Sequence, residues 1–137
     1  MIGFSSLQVD LSDGEYCREI AAARTFGFLA DEAALRHMGL IRGVSPENCV
    51  VLTAAGVANP PLRFPDEFVR HKILDLIGDL ALLGHRIVGR VVAHKAGHAM
   101  HAALVSRILK DHSFWKEITL DEAPPGRRDR HATLART

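Results

Sequence analysis

The stretch Phe68-Val69-Arg70-His71-Lys72-Ile73-Leu74-Asp75-Leu76-Ile77-Gly78-Asp79-Leu80 decides how this chain is read. Ile73, Leu76, Ile77 and Leu80 recur at the spacing that gathers apolar side chains on one face of a helix. His71, Asp75 and Asp79 fall at i, i+4 and i+8 and make a nearly straight polar stripe on another face, with Lys72 beside it. Many amphipathic helices have such a wet side. This one carries a histidine, two carboxylates and an ammonium, the groups that a divalent metal with a charged reaction centre calls for. Phe68 and Leu82 project near the stripe, which predicts that this face is covered rather than left to water. Pro65 is placed to open the helix and Gly84 to stop it.

Working outward, Leu7, Val9 and Leu11 alternate with Gln8 and Asp10, the pattern of a half-buried strand. Ser12 and Glu15 form a capping box for a helix from Tyr16 to about Ala22. Thr25 to Phe28 reads as a short strand, and Asp31 to Met38 as a short helix closed by Gly39. Asn48 to Thr53 is apolar and β-branched and predicts another strand. Gly56 and Asn59-Pro60-Pro61 mark a turn, after which Leu62-Arg63-Phe64 returns as a strand. Downstream, Ile87 to Ala93 predicts a buried strand and Gly97 to about Lys110 a second long helix. The predicted class is α+β: a two-layer sandwich of a mainly antiparallel sheet and two long helices, with an inserted strand-helix-strand unit at about 26–64. Residues 1–123 are expected to form one domain and 124–137 a disordered tail.

With 137 residues, 47% of them apolar, the chain has the material for one real core. A formal net charge of +1 gives no electrostatic reason to expect nucleic acid as a partner. The one basic cluster, Arg127, Arg128 and Arg130, lies in the tail without interleaved aromatics. Cys17 and Cys49 show no metal or redox spacing and point to a reducing, cytoplasmic setting. The apolar runs are shorter than the ~20 residues a membrane helix needs, so no stable membrane insertion is expected. No charged leader precedes an apolar stretch, so export is not expected either.

The string Phe68 to Leu80 resembles the zinc-dependent UDP-3-O-acyl-N-acetylglucosamine deacetylases of lipid A biosynthesis. Ala23-Arg24-Thr25-Phe26-Gly27-Phe28, Leu62-Arg63-Phe64 with Asp66-Glu67, and Lys95 with Gly97-His98-Ala99 are similar to further blocks of that family, in family order. The resemblance runs from Leu7 to Glu122 and is to the second of the family's two domains. It implies that His71 and Asp75 are two of three protein ligands of a catalytic Zn2+. It makes Lys72 and Asp79 charged residues of the reaction centre, and His98 the acid that protonates the leaving amine, held by Asp79. Thr25 resembles the threonine that hydrogen-bonds the oxyanion. The inserted unit implies an apolar passage for the substrate's acyl chain, with Phe26, Phe28, Ile41 and Val51 as candidate substrate-binding residues. The chemistry agrees: zinc lowers the pKa of bound water toward ~7, and an amine leaves readily only when protonated, a task suited to histidine.

The same resemblance assigns the third zinc ligand, a histidine preceded by an acidic general base, to the first domain. The expectation is therefore an incomplete half that needs a missing first domain, in cis or in trans, to act on its UDP-linked acylated amino sugar. A non-catalytic acyl-sugar-nucleotide binding module and a purely structural paralogue are the competing readings. Val44, Thr53, His101 and Ala102 depart from the family's usual residues.

Overall fold

The computed structural model describes residues 2–11 and 14–119, together with the backbone of 135–136. In chain order its elements are β1 (Ser6–Leu7), β2 (Thr25–Phe28), α1 (Glu32–His37), β3 (Cys49–Thr53), β4 (Gly56–Val57), α2 (Glu67–Leu80), β5 (Ala93–His94), α3 (His98–Lys110) and β6 (Ala135–Arg136).

The periodic apolar face of α2 is the centre of the core. Towards its start, Val69 and Ile73 bury against Ile20, with Leu7, Val9, Leu74 and Ile77 around them. Towards its end, Leu76 and Leu80 bury against Val105 of α3, flanked by Leu83, Val91 and Ala93. Each such side chain contributes about 1.5–3 kcal/mol on leaving water, so one helix stripe binds both halves of the core. A 3-10 turn, Ala81–Leu83, extends α2 to Gly84, whose φ of 74° is the left-handed conformation that ends helices. Gly39 ends α1 in the same way, with Leu40 N–H donating to Leu35 O and Gly39 N–H to Arg36 O, both at 2.9 Å. A π-helical turn, Tyr16–Ile20, is fastened to α2 by Arg70, which bonds the Glu19 carboxylate at 2.5 Å and the Glu19 carbonyl at 2.8 Å.

The mixed α+β class is as the pattern implied, but the strands outside the inserted unit pair in a mixed sheet and not a mainly antiparallel one. There are two small mixed sheets among the described residues, in the orders β1-β6-β5 and β2-β3-β4. β2 and β3 run parallel, in register from Thr25–Cys49 to Phe28–Leu52, because the segment carrying α1 crosses over and returns the chain in the same direction. β4 then folds back antiparallel on β3 through Gly56, at φ 128°.

Three predicted strands differ. Leu62-Arg63-Phe64 is not a strand: the Arg63 N–H goes to Glu67 Oε2 at 2.7 Å instead of to a ladder. In Ile87 to Ala93 only Ala93 pairs, and Val91 and Ala93 reach the core while Ile87, Val88 and Val92 are exposed, so the run is buried on one side only. The first strand stops at Leu7, although Val9 still reaches the core and Leu11 is exposed. The capping box rests on Ser12, outside the described residues, as does the predicted tail apart from the pairing of Ala135–Arg136.

Candidate metal and acid–base site

The polar stripe of α2 holds two linked clusters. In the first, His71 Nδ1 lies 3.2 Å from the carbonyl oxygen of Ala23. A carbonyl only accepts, so Nδ1 carries the proton. The other ring nitrogen, Nε2, faces Asp75 Oδ1 at 3.2 Å, while Asp75 Oδ2 accepts from Lys72 Nζ at 2.7 Å. Burial alone would push the Asp75 carboxyl up, yet the hydrogen bonds and charges of His71 and Lys72 hold it well below the usual carboxylate range. Asp75 is therefore ionised, and a neutral His71 would present a lone pair straight at it. Only a second proton on His71 or a cation between the two relieves that opposition, and such a donor set fits Zn2+.

In the second cluster one oxygen, Asp79 Oδ2, lies 2.7 Å from both His98 Nδ1 and His101 Nδ1. The His98 side chain is 69% exposed and that of His101 only 4%. Burial raises the Asp79 carboxyl, but the bonds from His101 and His98 outweigh it and lower it overall. Asp79, His98 and His101 bring their ligand atoms within 4.8 Å of one another, the one such group among the described residues. Held this way, both Nδ1 atoms donate to the carboxylate, which leaves the lone pair of each ring on Nε2. From sequence, His101 is a departure from a family pattern and, with His94, a fallback metal ligand if His71 does not hold the ion. Its spacing of three from His98 was the signal that could have placed both on one helix face.

A third feature was not read from sequence at all. Arg24, one residue before β2, is clamped to Glu67 at the start of α2: Nε donates to Oε1 at 2.9 Å and Nη2 to Oε2 at 3.1 Å. The Arg24 backbone N–H adds a bond to Oε1 at 2.9 Å. Arg24 also reaches the Pro46 and Pro61 carbonyls, and Arg63 reaches those of Ala22 and Glu47. This clamp fixes the segment Ala23-Arg24-Thr25, and so both the carbonyl that orients His71 and the half-buried Thr25.

Phe26 meets Phe68 edge-to-face at 5.0 Å and lies 6.2 Å from the His71 ring. Phe68 is thus partly covered within the chain, whereas Leu82 is 68% exposed. Phe26, Phe4, Lys72 and Lys95 line an open cavity of about 620 Å³. Lys95 adopts φ 49°, uncommon for a residue with a side chain. A second cavity of about 340 Å³ is lined by Phe28, Leu29, Leu52 and Thr53, among others. Val51 is half-buried on β3, and Ile41 takes a strained φ of 50°; neither lines that cavity. An acidic–histidine dipeptide does occur in the chain, Asp111-His112, but the Asp111 carboxylate is bonded to Ser113 and His112 stacks on Trp115 at 4.6 Å. It stands beyond the far end of α3 from His98, roughly 20 Å away at ~1.5 Å per helical residue.

The family model for UDP-3-O-acyl N-acetylglycosamine deacetylase matches residues 1–110. The chain belongs to that deacetylase family. It is 52% identical over 122 residues to the UDP-3-O-acyl-N-acetylglucosamine deacetylase of Solibacter usitatus, covering 88% of this chain and 41% of that protein. It is 49% identical over 112 residues to the protein of the same name from Myxococcus xanthus, covering 81% and 36%. The Anaeromyxobacter dehalogenans counterpart is 51% identical over the same length, with the same coverage. The chain thus spans about two fifths of the length of these curated relatives. Within this deacetylase-family chain the match ends with α3, so both clusters and the clamp lie inside it and Asp111-His112 outside.

Proposed function

We propose that this chain forms the part of a zinc-dependent deacetylase that carries two metal ligands and the acid. The reaction would be hydrolysis of the N-acetyl group of UDP-3-O-(3-hydroxyacyl)-N-acetylglucosamine in lipid A biosynthesis. The observation that carries the reading is the pairing of His71 Nε2 with the ionised Asp75 carboxylate across 3.2 Å, with Nδ1 pinned by Ala23. His71 and Asp75 would hold the Zn2+, whose chemistry is to polarise the amide and activate water.

The remaining roles fall to the chain's own groups. Asp79 holds His98 through Nδ1–H, so when the ring is doubly protonated the proton delivered to the leaving nitrogen departs from Nε2 as the carbon–nitrogen bond breaks, leaving the neutral Nδ1–H ring on Asp79. Thr25, at the head of β2, would donate to the oxygen on which charge develops. Lys72 and Lys95 around the larger cavity, with the rings of Phe26 and Phe4, suit an anionic sugar nucleotide. The apolar cavity at Phe28 would take acyl chain.

The third ligand and the general base would come from a first domain, and without them these residues alone are inactive. The test combines the purified chain with the separately expressed first domain of the Solibacter usitatus relative and measures acetate released from the UDP-linked acyl sugar. Release that depends on both components and on zinc supports the reading. Silence from a mixture in which both halves are folded and zinc-loaded overturns it in favour of a non-catalytic binding module.

A further inference from the structure

We propose that His101 is a positioning residue that locks His98 into one tautomer and one orientation through their shared carboxylate oxygen. The two rings sit three residues apart on α3, edge-to-face at 6.2 Å, with both Nδ1 atoms 2.7 Å from Asp79 Oδ2. Asp79 is ionised and can only accept, so both rings carry their proton on Nδ1.

The two donors differ in how firmly they are held. His101 is buried, and its ring has no freedom to turn away. His98 is largely exposed, and an exposed ring turns over quickly unless bonded. The buried donor therefore sets the plane of the carboxylate, and the fixed carboxylate sets His98. With Oδ2 filled from both sides, His98 has a single register in which its Nε2 is turned away from Asp79. A carboxylate with only the exposed partner would rotate and offer either oxygen, and His98 would then carry its proton on either nitrogen.

This inference rests on the acid role proposed for His98, but its test does not use turnover. Long-range proton–nitrogen correlation spectra of the 137-residue chain, labelled at histidine, report the tautomer of each ring at about pH 8, where ordinary imidazoles are neutral. The wild type should show His98 and His101 each as the pure Nδ1–H form. In His101→Leu and His101→Gln, no donor occupies the Nδ1 position, and the His98 signals should move to the average of the two tautomers. In His101→Asn the amide nitrogen replaces Nδ1, and the pure His98 signature should return.

A role for His101 in packing alone would lower the melting temperature in all three variants and leave the His98 tautomer untouched. An unchanged His98 signature in a folded Leu or Gln variant overturns the proposal, as does an Asn variant that behaves like Leu. If neither loss variant folds, the wild type still decides: an Nε2–H tautomer at His101 contradicts the shared-oxygen arrangement. Inactivity in the deacetylation assay with a pure Nδ1–H signature would sink the functional reading and leave this one standing.

Discussion

Arg24 and Glu67 form a buried ion pair between the residue before β2 and the first residue of α2, with side chains 7% and 0% exposed. Glu67 accepts three bonds from Arg24 and one from the Arg63 N–H, so both of its oxygens are satisfied. The pair joins the strand that bears Thr25 to the helix that bears His71, Lys72, Asp75 and Asp79. Two elements far apart in sequence thereby acquire a fixed register at the point where the site needs one.

Removing one member should be severe, because the other is left charged inside the protein. Glu67→Ala is expected to destabilise the chain by about 3–5 kcal/mol, measured by urea unfolding. Arg24→Met combined with Glu67→Leu should recover most of that loss, since no buried charge remains. A double variant no better than the single one would mean that the carbonyl and backbone bonds, rather than the charges, dominate the clamp.

The same pair sets an acid dependence. Burial alone would raise the Glu67 carboxyl, but the bonds from Arg24 and Arg63 and the Arg24 charge lower it overall. A depressed folded value means that the unfolded chain binds the proton more readily. The stabilisation is thus fully present above the unfolded value of about 4.3 and is lost as pH falls below it towards the folded value. Stability measured from pH 6 downward should fall more steeply below about pH 4.3 in the wild type than in Glu67→Gln. Equal acid slopes would remove Glu67 from the account.

Much of this arrangement was legible because it repeats within one helix. The period of Ile73, Leu76, Ile77 and Leu80 fixed the buried face of α2, and the i, i+4, i+8 spacing fixed the stripe opposite. Gly39 and Gly84 announced helix ends because few residues accept their conformation. Long-range pairing was not legible. Arg24 and Glu67 each look like surface charges until the fold places them together. Leu62-Arg63-Phe64 looked like a strand because apolar content does not reveal that a backbone N–H is committed to a carboxylate. Ile87, Val88 and Val92 looked buried because an apolar run reads the same whether or not a partner covers it. The contact of His101 with Asp79 was likewise invisible until the fold buried its ring against that carboxylate.

The metal ligands can be tested apart from catalysis. Zinc should bind the chain measurably by calorimetry, well short of the ~10–16 kcal/mol of a four-ligand structural site. His71→Ala should weaken it strongly, and His98→Ala should change it little, because His98 belongs to the Asp79 cluster and is not one of the two ligands proposed for the metal. Equal affinity in wild type and His71→Ala would move the metal elsewhere, with Asp79, His98 and His101 the first candidates.

The last prediction separates a contact surface from the chemistry. Phe68 and Leu82 both flank the stripe, but Phe68 is already packed on Phe26, whereas Leu82 is 68% exposed. A partner domain closing over the stripe would therefore gain more new burial at Leu82. In the two-component assay, Leu82→Ser should raise the concentration of first domain needed for half-maximal acetate release and leave the rate at saturation nearly unchanged. The loss of one buried leucine, about 1.5–3 kcal/mol, corresponds to a shift of roughly ten- to a hundredfold. Phe68→Ser should behave differently: it strips the support from Phe26, which lies beside His71, and so should also lower the saturating rate. Asp75→Ala removes a ligand and should abolish release at any concentration. If Leu82→Ser titrates like the wild type, the partner does not sit on this end of the stripe, and its docking face must be sought elsewhere on α2 or α3.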